Sequence, residues 1–485
     1  MSYTTNVVSN YQTAEYGKFI QFSPGDTNYP AVSVTRLQYP DSTLFPPGCS
    51  FPPVSSVDVY PKYAVLVHDT SNDITNSAPF GDNSSQDSFG RLRVTQPTTL
   101  LDSKALYNKN DYVFDEITFG TGTSVFSAYD SCVDMRTAAN GDYVIRQTRM
   151  RYNYQPGKGM QYMFTGLFAP QTNVIKRIGC FQSLTAAPYE PSDGMWLEIR
   201  STGPVLRVEK TQGTPHSQTI PQSAWNVDKM DGTGPSGLTL NFNTSQLFSI
   251  DFEWLGVGRV RFGFYVDGRL YYVHHDNHLD DLLTAPYMTF SNQPVRYEIR
   301  QTGTGSGLLR HICSTVLIEG STENVGRQIA VDDGGITVQS NVFTPLLALQ
   351  LNPSYRNAVV ILKEAQVLNA SNPGNSIQYA VFLNPLITGG SLSFVPVNNS
   401  FMLTASANAT LSVTEGVSGY KMLTGFAATG QGNQGTTETG NEFVANLARF
   451  GTRINGAPDI MVLAARGLGS TANNIYGSMT VLEKA

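Results

Sequence analysis

Charge is scarce in this chain: Asp, Glu, Lys and Arg make up 14% of 485 residues, against about a quarter in an ordinary soluble protein. The formal net charge is −6, and no basic block or tail occurs, so the footprint that general nucleic-acid binding requires is missing. Cysteine is rare and dispersed, at Cys49, Cys132, Cys180 and Cys313. Without a CxxC pair there is neither a thiolate metal motif nor a disulfide framework, and reduced structural thiols are expected. No apolar run reaches the length that spans a bilayer. The first residues, MSYTTNVVSNYQ, lack the basic and apolar regions of a secretory signal, so synthesis and retention in a cytosol are expected. Long stretches rich in Glu, Lys, Arg and Ala are absent, which excludes a helical body. No G-x-S-x-G elbow, H-E-x-x-H, calcium loop or phosphate loop occurs.

What is abundant is Gly, with 44 residues, and Tyr, with 24, beside much Asn, Ser and Thr; that composition suits strands and turns. The most informative stretch is Gln246 to His275, QLFSIDFEWLGVGRVRFGFYVDGRLYYVHH. Phe248, Ile250, Phe252 and Trp254 alternate with Leu247, Ser249, Asp251 and Glu253. Val260, Phe262, Phe264 and Val266 then alternate with Arg259, Arg261, Gly263 and Tyr265. Period-two alternation gives each strand one buried face and one face for water or a partner. Asp267-Gly268 between two such runs signals a two-residue hairpin.

Composition divides the chain into three segments. Residues 1–87 are rich in Pro, Ser, Asn and Asp and read as an N-terminal arm or small irregular β element ending in a linker. Residues 88–320 carry many short strand candidates, among them Tyr143 to Tyr152, Met160 to Phe168, Val295 to Gln301 and Leu308 to Ile318, and read as an antiparallel sandwich. Residues 321–485, poorer in Arg and Trp, read as a second β-sandwich, with one short helix at Phe443 to Phe450. The fold class is therefore mainly β.

Three constellations could carry chemistry. His274, Asp276 and His278 lie on one face of an extended strand and are acceptable ligands for a first-row metal; strand-end histidines stacked on tyrosines are the simpler reading, and no metal is assigned. Asp251 and Glu253 have the spacing of a retaining-glycosidase motif, but its first carboxylate position is Ser249. A cross-strand ion pair of these carboxylates with Arg259 or Arg261 is the expected alternative, and no catalytic residue or cofactor is assigned. Finally, Arg259, Arg261, Tyr265, Arg269, Tyr271 and Tyr272 form a candidate interface or glycan face, because Arg and Tyr are enriched where proteins meet.

The blocks SFGRLRVTQP (Ser88 to Pro97), VIRQTRMRYNYQPGKG, WNVDKMDGTGPSG, DFEWLGVGRVRFGFYVDG and PVRYEI resemble a family of virion structural proteins. Its members occur in tailed bacteriophages, notably marine and cyanobacterial ones, and in some large DNA viruses. The central segment also looks like the concanavalin and laminin-G class of jelly-roll sandwiches. The resemblance implies a non-enzymatic particle component (head decoration, vertex, neck, fibre or tail) that forms homo-oligomers, trimers or higher rings, and binds other virion proteins. A receptor- or carbohydrate-binding module for host surface glycan is the alternative, and a polysaccharide-degrading enzyme the second alternative. Neither nucleic acid nor membrane is an expected partner.

Overall fold

The computed structural model describes residues 86–484 except 92, 279–283, 323–324, 372–374, 407–408, 428–447 and 471–472, together with the strands Gln21–Phe22 and Val34–Arg36. The chain divides into two compact units, Met1–Gln86 and Asp87–Ala485. In the first, the two short strands pair antiparallel; the expected arm, linker and proline-rich stretch otherwise lie outside the described residues, as does most of the helix expected at 443–450. Among the described residues, no helix is long and apolar enough to cross a membrane.

The second unit is nearly all antiparallel β. Its first part is a sandwich of a seven-stranded and an eight-stranded sheet. In the seven-stranded sheet the order runs His216–Pro221, Gly203–Lys210, Pro191–Arg200, Val174–Ser183, Val295–Gln301, Tyr143–Thr148, Phe114–Phe119. In the other, Arg269–Asp276 stands at one edge, followed by Val260–Val266, Ser245–Phe252, Met160–Leu167, Gly307–Ile318, Cys132–Thr137 and, at the far edge, Thr123–Ser127; Thr98–Lys104 also pairs with Gly307–Ile318. The alternation legible in the sequence sets the faces. Phe248, Ile250, Phe252, Val260, Phe262 and Phe264 enter a core shared with Tyr162, Phe164, Leu197 and Tyr297 of both sheets. Asp267 and Gly268 both adopt positive φ, 49° and 76°, as a two-residue hairpin of right-handed twist requires.

The remainder is a second sandwich. A three-stranded sheet (Arg327–Val338, Asn473–Lys484, Val359–Asn369) faces a six-stranded one built around Thr344–Leu351, Ile460–Gly467 and Ile377–Leu383, and Leu347, Leu349, Val360, Tyr379, Leu463, Met479 and Val481 fill the space between. Met402–Ser406 belongs to the six-stranded sheet, while Ser412–Thr414 lies outside it and pairs with Leu386–Thr388. Polar joints connect the two sandwiches. Arg149 reaches Asp459 at 3.2 Å and Asp115 at 3.5 Å, the Ile454 amide donates to Asp115 at 2.9 Å, and Arg151 donates to Asn357 at 3.3 Å.

Lys176, within Val174–Ser183, is fully buried, its ammonium donating to the Ala169 carbonyl. Burial pushes its pKa down to about 7. Unfolded, the group keeps its proton to about pH 10.4. Between these values the unfolded chain holds more protons, so this residue makes stability rise with pH, by at most about 1.4 kcal/mol per unit, and its full penalty is present below pH 7. Lys176→Met is expected to flatten that slope; urea unfolding of both proteins at pH 7, 8 and 9 checks it, and parallel curves would contradict it.

Candidate functional site

The outward face of Ser245–Phe252 and Val260–Val266 holds a dense polar constellation. Antiparallel register sets Asp251 opposite Arg261, and their side chains pair at 2.5 Å, both essentially inaccessible to water. The cross-strand ion pair expected from the sequence is thus present, but it is not a surface pair. Residues 87–97 cross this face as a strap. Asp87 organises the strap's turn, accepting from the amides of Phe89 and Arg91 and from the Arg91 guanidinium. The Ser88 hydroxyl and the Arg93 guanidinium both donate to Asp251. Arg93 also pairs with Glu319 at 3.0 Å, and Arg259 donates to the Ser88 carbonyl at 2.9 Å. Tyr272 completes the set, its hydroxyl donating to Asp251 at 2.7 Å while the Arg261 guanidinium lies 4.3 Å over its ring.

The Asp251 carboxylate thus gathers four donors. Burial alone would raise its pKa; the charges of Arg261 and Arg93, with the Ser88 and Tyr272 hydrogen bonds, outweigh that and hold it below the ordinary aspartate value. Glu253 behaves oppositely, burial being the main cause that pushes it up. Ser249, at the first position of the glycosidase spacing, is buried and accepts from Gln161 at 2.9 Å. A buried carboxylate that accepts from four donors, three of them on Oδ2, is an anchor for the strap.

The six Arg and Tyr residues of the candidate face separate. Arg261 and Tyr272 are buried around Asp251, and Tyr265 is half-buried beside them with its hydroxyl 3.4 Å from Gln161. Arg259 is half-buried in the turn and holds the strap. Arg269 is exposed and lies 5.1 Å over Tyr271, which packs against the core. The strap is what separates them, and nothing in their own alternation announces it. The sequence signal for it is Ser88-Phe-Gly-Arg-Leu-Arg-Val, two arginines and a serine standing before the first strand of the sandwich.

The histidine cluster is also rearranged. A bulge between Phe262 and Gly263 makes His274 pair with Phe262 while Tyr272 pairs with Gly263, so strict alternation stops at Val273 and His274 turns back toward the Phe262 ring. Asp276 and His278 converge instead with His216, from the edge strand of the other sheet. The sequence places His216 some sixty residues earlier, beyond the reach of any local spacing rule.

Two further features were not anticipated. A cleft of about 760 Å³ opens where the two sandwiches meet, lined by Phe290, Tyr355 and Phe401 and by Asn292, Asn357 and Arg356. The Asn357 amide nitrogen there is buried without a hydrogen-bond partner. On the far edge of the central sandwich, Phe114–Phe119 and Thr123–Ser127 end their respective sheets, and large apolar side chains stand in water: Tyr129 at 103%, Tyr107 at 88%, and Phe119 and Val125 each at 56% of full exposure.

No family model matches the sequence, and no curated protein does. Solved structures align with just under half of the chain. A Bacillus licheniformis β-glucanase covers 47% of it, and 100% of its own length, at 10% identity and TM-score 0.30. The endo-β-1,4-glucuronan lyase of the fungus Trichoderma reesei covers 46%, and 96% of its own, at 15% identity and TM-score 0.30. A legume lectin-like domain from Entamoeba histolytica covers 46%, and 98% of its own, at 9% identity and TM-score 0.27. Likenesses this distant carry no functional argument; the sandwich itself rests on the strand pairings above.

Removing the anchor takes the carboxylate from the buried Arg261 guanidinium and leaves Arg93 with Glu319 alone. Asp251→Ala is expected to destabilise the protein by about 3–5 kcal/mol, and Arg93→Ala by less, because Arg261 still neutralises the carboxylate. Urea unfolding together with limited proteolysis at residues 87–97 checks this; an unchanged midpoint for Asp251→Ala would contradict it.

Proposed function

We propose that this chain is a non-enzymatic structural protein of a virus particle, working by association with further copies of itself and with neighbouring particle proteins. The particle is suggested by the resemblance of the blocks at Ser88, Val144, Trp225, Asp251 and Pro294. The observation that carries association is the far edge of the central sandwich. Monomers rarely leave large apolar residues exposed together, and a sheet edge offers unpaired amides and carbonyls to another strand. Phe119, Val125 and Tyr129 accompany two such edges, and the Lys109 contacts to Glu116 and to the Ser124 carbonyl bring the edges to the same side of the molecule. A second copy is the fitting occupant, because an isologous contact pairs one edge with the same edge antiparallel. The low charge of the surface suits dense assembly, and the engagement of Asp251 by four donors occupies one of the two carboxylates whose spacing suggested catalysis.

The cleft favours a second reading, recognition of a polar glycan. Its volume falls in the range of small-ligand sites, its aromatic rings offer faces for a sugar ring, and the unpartnered Asn357 amide offers a donor. The Arg356 guanidinium extends the choice to acidic sugars.

Size-exclusion chromatography with light scattering tests the first reading. A stable oligomer is expected, shifted to monomer by Val125→Lys with Tyr129→Ser; a monomer at every concentration, indifferent to other particle proteins, would contradict it. For the second, binding on a glycan array is expected to be lost in Tyr355→Ala, and the absence of any glycan signal from the parent protein would dismiss it.

A further inference from the structure

We propose that His216, Asp276 and His278 form a binding site for a divalent first-row transition ion, zinc foremost. The three come from the edges of both sheets: His216 opens His216–Pro221, the last strand of the seven-stranded sheet, and Asp276 closes Arg269–Asp276, the edge of the eight-stranded one. Their ligand atoms all lie within 4.8 Å of one another. His278 is fully buried and rigidly placed, its ring stacked on Tyr287 at 3.8 Å between centroids and 6° between planes.

The backbone fixes one side of the His278 ring and leaves the other to the cluster. Nδ1 stands 2.8 Å from the Gly258 carbonyl oxygen. A carbonyl only accepts, so Nδ1 carries hydrogen. Nε2 then lies 2.9 Å from Asp276 Oδ2, and both atoms are buried without a hydrogen-bond partner. Two buried polar atoms so close, and facing a third ligand atom, suit a cation placed among them. A proton would satisfy the pair but makes no use of the third donor, and the His216 ring lies 5.5 Å from that of His278, inclined at 63°. A metal ion uses all three. An imidazole whose Nδ1–H is held by a backbone carbonyl while Nε2 faces the ion is the usual way a protein orients a metal-binding histidine. Two neutral imidazoles and one carboxylate suit zinc or its neighbours and suit calcium or magnesium poorly. Tetrahedral ligand atoms around zinc stand about 3.3 Å apart, so the half-buried His216 swings inward by a modest side-chain rotation. A fourth position stays open for water or for a donor from another protein. Bound there, the ion clamps the two sheets together at the edge opposite Phe119 and Val125.

The test uses the full-length protein freed of metal by chelator, titrated with zinc chloride by calorimetry and with cobalt chloride by visible absorption. One equivalent of zinc per chain, a rise in melting temperature, and the intense visible bands of tetrahedral cobalt are expected. His216→Ala, which removes a half-exposed side chain and leaves the buried pair intact, is expected to weaken zinc binding at least tenfold, with the cobalt bands lost. His275→Ala, a neighbouring histidine outside the trio, is expected to bind as the parent does. Absence of binding by the parent, or equal binding by His216→Ala, would overturn the proposal and leave Asp276 and His278 as a proton-bridged pair.

Discussion

The charge contact of Asp251 with Arg261 and Arg93 is the constraint around which the central sandwich is organised. Register alone brings Asp251 and Arg261 together on the outward face of the eight-stranded sheet. An isolated ion pair on an open sheet is worth little; here the strap at 87–97 excludes water and supplies Arg93 and Ser88, which turns the pair into a buried network. Such a network stabilises only when every member is satisfied. Asp251 meets that condition with four donors, and Glu319 offers Arg93 a second acid. The consequence is architectural: the part of this sheet's outward face around Asp251 is covered by the chain's own polypeptide.

The same device recurs on the opposite sheet. Glu298 is fully buried and contacts Arg296, Arg177 and Arg300; burial would raise its pKa, but the three guanidinium groups outweigh it and drive the carboxyl well below the ordinary glutamate range. Arg296 also meets Gln147, Ser183 and the Tyr189 carbonyl. Both outer faces of the sandwich therefore carry guanidinium–carboxylate lattices under cover, which explains how a chain so poor in charge places many of its arginines inside. What remains open is at the edges: the apolar edge near Val125, the edge where His216 meets Asp276 and His278, and the cleft against the second sandwich. These are the places to which the proposed activities are assigned.

Much of this was legible in the residues. Alternation from Leu247 to Val266 gave the core face without error, and Asp267-Gly268 gave the hairpin, because both are local consequences of period two and of backbone sterics. The pairing of Asp251 with a neighbouring arginine came from the same geometry. Long-range coincidences were beyond such reading. The burial of Arg261 and Tyr272 depends on a strap more than 150 residues away in sequence, and the partner of Asp276 and His278 comes from a different sheet. His274 keeps the same facing as Asp276, since the two pair with Phe262 and Val260 across the neighbouring strand, but its ring turns to Phe262, and His216 takes the place beside Asp276 and His278. Strands such as Val174–Ser183 and Thr344–Leu351 escaped notice because both of their faces are buried, which erases alternation.

In the native protein the strap closes the polar face around Asp251 and leaves the edges and the cleft open. Native-state hydrogen exchange read by mass spectrometry measures this directly. Peptides covering residues 87–97 are expected to exchange about as slowly as the strand Ser245–Phe252 beneath them. Complete exchange of the strap within seconds, while that strand stays protected, would show the face open and contradict the account.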